Sequence, residues 1–168
     1  MTFRTLITAT ALGLGLGTAG LASATQVTHM GGDITEEQVL EAQQAWGEAL
    51  VAISHTYEEE GIDAASTLAE APQTSRTTPE GTLAYFVGHS DEYSADSGFA
   101  LKGWQEVTID NAAIFISGDM ALTMGTVSIL DADGYTTTVD KSWGYHLDDD
   151  GDLRIVLHHS SLPFTGDE

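Results

Sequence analysis

The sequence predicts an α+β domain in which N-terminal helices pack on one face of a curved antiparallel β-sheet. Helical periodicity fills the first half of the chain, and long strand-like segments joined by short turns fill the second half. Helices and strands that are segregated along a chain typically form two packed layers. A sheet that curves over its helices makes a cone with an internal pocket, which is a natural site for a small ligand.

Three helical segments are predicted in the first half, at residues 36–57, 62–71 and 79–87, the second being a short helix or turn. Apolar side chains recur at helical spacing along the first segment. Thr35 and Gln38 form a capping-box pattern at its start. Thr78 caps the third helix and Pro79 occupies its first turn, after a loop rich in Pro, Ser and Thr.

Five strands are predicted in the second half, at residues 104–110, 113–117, 121–130, 135–147 and 153–161. Asp-rich turns that contain Gly134 and Gly151 join the last three strands, and glycine supplies the positive φ that hairpin turns need. Neither turn has the full calcium-binding loop with its distal Glu. We therefore interpret both as hairpin turns.

The N-terminal region has the features of an export signal. Arg4 precedes a long uncharged stretch, and Ala22-Ser23-Ala24 has the small residues of a cleavage site. We therefore expect a signal peptide at residues 1–24, a flexible leader at 25–32 and a single domain at 33–168. The mature protein is expected to be exported, either to the periplasm or to the medium.

Composition restricts the partners of the chain. It has 26 Asp and Glu residues against five Lys and Arg, which gives a net charge of −21. This field repels nucleic acid and anionic membrane surfaces, so neither is expected as a partner. Without cysteine there are no disulfides and no thiolate metal ligands. No segment after the signal peptide is apolar for long enough to span a bilayer.

The last strand ends in four polar residues, His158, His159, Ser160 and Ser161, directly after an apolar run. Hydrogen-bonding side chains at the end of a core strand are costly unless something uses them. Side chains alternate between faces along a strand, so His158 and Ser160 share one face. His159 and Ser161 share the other face. One of the two pairs is therefore expected to line a cavity.

A metal site is an alternative role for these histidines. A catalytic zinc needs three protein ligands around an open position. His158 and His159 point to opposite faces, although His146 on the neighbouring strand can join one of them. A zinc site held by these residues therefore stays an alternative. A serine-hydrolase site is disfavoured because no G-x-S-x-G motif is present.

Three stretches of the sequence resemble the iota class of carbonic anhydrases, in particular its short exported bacterial members. They are RTTPEGTLAYFVG at 76–88, GFALKGW at 98–104 and SWGYHLDDDGDLRIVLHHSSLPF at 142–164. HHSSLP is the most distinctive of these motifs, and the resemblance covers residues 31–164. It implies a nuclear-transport-factor-like, SnoaL-like (cystatin-like) cone, a homodimer, and reversible hydration of carbon dioxide to bicarbonate.

The resemblance also implies a site in which hydroxyl groups surround bicarbonate beside a histidine. The matching catalytic residues are Thr67, Tyr85, His158 and Ser160, with Thr78 and Thr82 as alternatives for the threonine. Such hydroxyls orient the attacking water and donate to the oxygens that gain charge. Histidine is the side chain best suited to relay a proton near neutral pH. Members of the class are either metal-free or dependent on zinc or manganese, and no cofactor is expected here.

Carbon dioxide is apolar, so its subsite is expected to be hydrophobic. The candidate walls are Phe86, Trp104, Phe115 and Trp143. The alternative function is a noncatalytic ligand-binding or dimerisation domain of the same fold, which explains the aromatic residues but not the polar end of the last strand. Phosphoribosyl-AMP cyclohydrolase, a name often given to similar chains, is disfavoured because that enzyme uses cysteine metal ligands and a phosphorylated substrate.

Overall fold

Three α-helices precede the main strands in residues 24–69, 78–164 and 166, the part of the chain that the computed structural model describes. The helices are α1 (Glu36–Glu60), α2 (Ile62–Ala69) and α3 (Pro79–Val87), followed by a 3-10 turn (Phe99–Leu101). The strands are β1 (Gln26–His29), β2 (Trp104–Ser117), β3 (Met120–Asp131), β4 (Thr136–Leu147) and β5 (Leu153–Ser161). The predicted α+β order is confirmed, and the predicted signal peptide lies outside the described residues except for Ala24.

The five strands form one sheet in the order β1-β2-β3-β4-β5. The pairs from β2 to β5 are antiparallel, but β1 runs parallel to β2. The sheet is therefore mixed and not antiparallel throughout, because the helices supply the long crossover that a parallel pair requires. Residues 26–29 of the leader expected at 25–32 form β1. Its β-branched Val27 and Thr28 pair with the free edge of β2.

A single bulged strand replaces the two strands predicted at 104–110 and 113–117. The register of β2 against β3 shifts between Asn111 and Ala113, so Ala112 is the extra residue of a β-bulge. Beyond the bulge, Ile114 and Ile116 are buried against the helices. Phe115 consequently faces outward and is 40% exposed.

Helix α1 lies across the inner face of the sheet and carries most of the helical contribution to the core. Its capping box at Thr35 is formed as predicted. Gly47 approaches Val107 so closely that an added Cβ would lie 3.2 Å from the valine side chain. Near this contact Gln43 donates to Asn111 Oδ1 (3.0 Å), and Asn111 Nδ2 donates back to Gln43 Oε1 (2.7 Å). None of the described helices is long and apolar enough to cross a bilayer.

A further bulge lies in β5 and determines which side chains face the helices. Tyr145 of β4 pairs with Ile155, whereas the preceding Gly144 pairs with Leu157, so Val156 is the extra residue. Ile155 packs on the core, and in a regular strand Leu157 would follow it inward. The bulge reverses this alternation, so Leu157 faces outward and His158 faces inward.

Candidate active site

The bulge at Val156 turns the predicted pair His158 and Ser160 towards the inner face. His158 is 3% exposed and pairs with Trp143 of β4. Ser160 pairs with Lys141, and the Ser160 hydroxyl accepts a hydrogen bond from Lys141 Nζ at 2.7 Å. His159 is exposed on the opposite face. The structure therefore turns the first pair of polar residues to the inner face, where His158 is buried and Ser160 is exposed. Alternation predicted that one of the two pairs would share such a face.

His158 is enclosed by two indole rings. Its ring centroid lies 5.3 Å from that of Trp46 on α1 and 6.3 Å from that of Trp143. Burial, with smaller contributions from the charges of Lys141 and His159, lowers the pKa of His158 to about 3. The imidazole is therefore neutral near pH 7. A group with so low a pKa is a weak base at neutral pH, so the expected proton relay by His158 stays a prediction.

Lys141 is the functional candidate that sequence reasoning missed. It is 2% exposed, and its Nζ lies 4.9 Å from the ring centroid of Trp46 and 5.4 Å from that of Trp143. Burial lowers the pKa of Lys141 from 10.5 to about 7. Alternation along β4 was the available signal, because Lys141 shares a face with Val139, Trp143 and Tyr145.

Several buried polar atoms beside Lys141 have no hydrogen-bond partner within the described residues. They are the Nε1 atoms of Trp46 and Trp143 and Nε2 of His158. Burial also raises the pKa of Tyr145, an effect that the Gln43 side chain partly offsets, so its phenol is neutral. A buried donor or acceptor without a partner typically costs about 1–3 kcal/mol, which favours a polar ligand as its partner.

The other predicted aromatic residues form a second group, the α3 aromatic cluster of Tyr85, Phe86, Phe99 and Trp104. Tyr85 is half-buried, stacks on Phe99 with centroids 5.6 Å apart and meets Phe86 edge-on at 5.3 Å. Trp104 lies 5.6 Å from Phe99. Phe86 and Trp104 are buried. In the described part of the chain, no ring contact joins this cluster to Trp46, Trp143 and His158.

The threonine of the predicted site is not brought to His158. Thr67 is exposed on α2, and its hydroxyl donates to the Asp63 carbonyl oxygen of the same helix at 3.1 Å. Thr78 instead caps α3 by accepting from the Gly81 amide at 3.1 Å. The loop between α2 and α3 lies outside the described residues. The catalytic roles of Thr67 and Tyr85 therefore stay predictions.

Two further expectations are corrected. Phe115 is not a pocket wall, because the bulge in β2 turns it to the outer face. His146, His158 and His159 do not converge, since His158 is buried and His159 lies on the other face. His146 Nε2 instead lies 3.3 Å from Asp119 Oδ2. Among residues 24–69, 78–164 and 166, no three His, Asp or Glu side chains are placed to hold a metal ion.

Comparison with known proteins identifies the family of the chain. A model of the metal-independent carbonic anhydrase family matches residues 65–162. The chain belongs to this family. A metal-independent carbonic anhydrase from Nostoc sp. (strain PCC 7120 / SAG 25.82 / UTEX 2576) is 50% identical over 153 residues, which cover 78% of this chain and 75% of the relative. The predicted iota-class carbonic anhydrase is confirmed.

Solved structures agree with the carbonic anhydrase assignment. An iota-carbonic anhydrase from a cyanobacterium, crystallised in complex with bicarbonate, is 48% identical with a TM-score of 0.76 and covers 83% of this chain and 99% of its own. A putative calcium/calmodulin-dependent protein kinase II association domain from Xanthomonas campestris has a TM-score of 0.50 at 18% identity, covering 84% of this chain and 96% of its own. The second likeness concerns the fold alone.

Proposed function

We propose that this carbonic anhydrase hydrates carbon dioxide to bicarbonate at the site formed by Lys141, His158 and Ser160. The observation that carries the proposal is the set of buried polar atoms without partners beside a buried lysine. Those groups are complementary to a small anion with several acceptor oxygens. The cyanobacterial relative was crystallised with bicarbonate, which is such an anion.

The residues around Lys141 suit both the apolar substrate and the charge that develops during the reaction. Carbon dioxide is apolar, and the indole faces of Trp46 and Trp143 offer it an apolar wall. When water adds to the carbon, its two original oxygens gain negative charge. Donors held in a buried site stabilise that charge strongly, because they need no reorganisation during the reaction. The two indole N–H groups are buried donors of this kind, and the hydroxyl of the exposed Ser160 is a further donor at the site.

We further propose that the reaction uses side chains of the chain itself and no metal, with Tyr85 and Thr67 completing the site. Metal independence of the family supports the first part of this proposal. The alternative, zinc or manganese, predicts that activity disappears after exhaustive chelation and returns with one ion. The proposal predicts an unchanged rate of carbon dioxide hydration in the chelated protein, measured by stopped flow with a pH indicator.

The site is tested with Ser160→Ala, for which Ser161→Ala on the opposite face is the matched control. Loss of one transition-state donor is expected to lower kcat about 100-fold, whereas the control keeps the wild-type rate. Tyr85→Phe and Thr67→Val test the two residues that α2 and α3 supply. A wild-type protein without hydration above the buffer rate refutes the function. Equal rates in Ser160→Ala and its control refute the site.

We propose that the outer face of the sheet associates with a second copy of the chain. Phe115, Leu122 and Leu157 lie in one line across this face and are 40%, 50% and 48% exposed. Gly144 completes the line between the two leucines, and Met124 lies beside it, so the patch is continuous. Contiguous apolar patches on soluble proteins commonly mark protein interfaces. A homodimer, as predicted, buries such a patch.

Light scattering after size-exclusion chromatography tests the dimer. Leu122→Asp places a charge in the centre of the apolar line and is expected to give monomers. Leu40→Asp is the matched control, because Leu40 is similarly exposed but lies on α1. A monomeric wild-type protein, or a dimer that survives Leu122→Asp, contradicts the proposed interface.

We also propose that the protein is exported after cleavage behind Ala24. The charged start, apolar stretch and small-residue cleavage site of residues 1–24 support this proposal. Mass spectrometry of the protein expressed with its own N-terminus is expected to find a chain that begins at Thr25 in the exported fraction. An uncleaved chain in the cytoplasm contradicts it.

A further inference from the structure

Lys141 is a buried cation without an anionic partner. The chain has only two lysines, Lys102 and Lys141, among 26 acidic residues. Among the described residues, Arg154 pairs with Asp148 and Asp152, His146 lies beside Asp119, and no carboxylate pairs with Lys141. Buried lysines are normally paired, so the unpaired one points to a role that the fold does not require.

The hydroxyl of Ser160 is the polar contact of Lys141. It lies 2.7 Å from Nζ and belongs to an exposed residue, whereas Lys141 itself is 2% exposed. Two indole faces enclose the other sides of the ammonium. A proton that moves between Lys141 and the substrate or solvent therefore has a short route through Ser160. A hydroxyl suits this route because it can donate and accept at once.

We propose that Lys141, acting through Ser160, accepts the proton that the attacking water loses and then serves as the counter-charge of bicarbonate. This inference rests on the proposed carbonic anhydrase function and deepens it. Lys141 is a positioning and proton-accepting residue behind Ser160, which is the group expected to touch the substrate. Proton acceptance, the role expected of His158, is thereby assigned to Lys141. His158 remains a neutral side chain that lines the site.

The step is balanced without any further reactant. The oxygen of water forms a bond to the carbon of carbon dioxide, and one C=O electron pair moves onto its oxygen. The water gives a proton to Ser160 Oγ while Ser160 gives its own proton to the neutral Lys141 amine. Bicarbonate and an ammonium result, so two neutral reactants become an ion pair and the net charge of the site is unchanged. Return of the ammonium proton to solvent, again through Ser160, completes the cycle.

The surroundings of Lys141 favour an amine that titrates near neutral pH. On β5 it faces Ser160 and the neutral His158, and on its own strand its inner-face neighbours are the uncharged Val139 and Trp143. Gly125 is its partner on β3. Helix α1 presents the uncharged Trp46. Burial is thus the cause that lowers the pKa of Lys141 to about 7, where a proton acceptor for neutral solution is most effective.

Three variants separate proton acceptance from charge alone. Lys141→Met removes the amine at similar size, and Lys141→Arg keeps a charge that does not deprotonate. Lys102→Met is the matched control at an exposed lysine. The wild-type kcat/KM for carbon dioxide is expected to fall about tenfold per pH unit below about pH 7. Both Lys141 variants are expected to lose about 100-fold in hydration and to lose this pH step, while Lys102→Met retains both.

Binding of nitrate, a planar monovalent anion, measures the counter-charge without catalysis. Quenching of the flanking tryptophans reports the binding. Lys141→Met is expected to weaken nitrate binding about tenfold, whereas Lys141→Arg stays within about threefold of the wild type. Wild-type hydration by Lys141→Arg, or a pH step that survives in Lys141→Met, overturns the inference while the proposed function stands. Absence of hydration in the wild type refutes the function itself.

A measurement on the wild-type protein covers the case in which the variants fail to fold. With ¹³C-labelled lysine the spectrum contains signals from two side chains, and Lys102→Met identifies which is which. The Lys141 Cε signal is expected to titrate with a midpoint near pH 7. A signal that stays constant between about pH 6 and pH 8 shows that the amine does not exchange its proton in this range, and it overturns the inference.

Discussion

Replacing Lys141 by methionine is expected to stabilise the folded protein. Lys141 is 2% exposed and lacks a carboxylate partner in the described part of the chain, so burying its charge opposes folding. Methionine has nearly the same length and fits between the same indole rings. The prediction therefore reverses the usual result for a buried position, where most substitutions destabilise.

The magnitude follows from the pKa of the buried amine. A pKa lowered from 10.5 to about 7 corresponds to about 4–5 kcal/mol of folding free energy at pH 7, at about 1.4 kcal/mol per pKa unit. Methionine loses the hydrogen bond to Ser160 Oγ and the contacts of the cation with two indoles, together about 2 kcal/mol. The variant should therefore be more stable by about 2–3 kcal/mol at pH 7.

The difference should depend on pH in a known direction. Above about pH 7 the folded amine is neutral, whereas the unfolded chain keeps its proton up to about pH 10.5. The unfolded state then binds more protons, so the wild-type stability rises with pH across this window. The advantage of Lys141→Met is consequently expected to shrink by about 2 kcal/mol between pH 7 and pH 9.

Urea denaturation of both proteins, followed by tryptophan fluorescence and circular dichroism at several pH values, measures this difference. Lys102→Met is the control and should change the free energy of unfolding by less than about 0.5 kcal/mol. A variant that is less stable than the wild type at pH 7 refutes the reasoning. A stability difference that does not change with pH refutes it as well, since the lysine would then not carry the charge cost.

Two other substitutions and one deletion test the site and the sheet. His158→Asn should remove the acid sensitivity that the buried histidine gives to the folded state. Below pH 6.5 the unfolded histidine binds a proton, whereas the folded one, with a pKa of about 3, does not, so the wild type should lose about 1.4 kcal/mol of stability relative to the variant for each pH unit of acidification. Parallel curves of stability against pH for the two proteins contradict this. Gly125→Ala should lower the free energy of unfolding, measured in urea, by about 3 kcal/mol or more, because the new Cβ would lie 2.1 Å from the Asp110 carbonyl oxygen. The control Gly151→Ala, in open space at φ +86°, should lower it by about 1 kcal/mol. Equal losses in the two variants disprove the close approach at Gly125. Deletion of Val156 should abolish carbon dioxide hydration by turning His158 and Ser160 outward. The control Val156→Ala keeps the extra residue and should retain activity. An active deletion variant shows that the bulge does not determine the orientation of the site residues.

Local signals predicted the elements of the fold well. The capping box at Thr35, the cap at Thr78 and the alternation within β5 all involve residues that are close in sequence. Their physical causes act within one or two turns of chain. The starts of the helices and the shared face of His158 and Ser160 could therefore be predicted without knowing the tertiary structure.

The absolute face of a strand was harder to predict. Ile114, Phe115 and Ile116 are all apolar, so composition does not distinguish the outward residue from its neighbours. The bulges in β2 and β5 determine which side chains face outward, and they depend on pairing with β3 and β4, which are tertiary contacts. Lys141 was missed for a related reason, because a charged residue in a strand is ordinarily exposed. The pairing of β1 with β2 likewise depends on an edge that the local sequence does not show.

The reciprocal amide pair of Gln43 and Asn111 has a consequence for how relatives of this protein vary. Each side chain satisfies a buried donor and a buried acceptor of the other, so changing one alone removes two buried hydrogen bonds. Trp46, which shields Lys141, lies one helical turn after Gln43. Positions 43 and 111 should therefore co-vary across an alignment of the family, and their joint changes should track the residue at position 46.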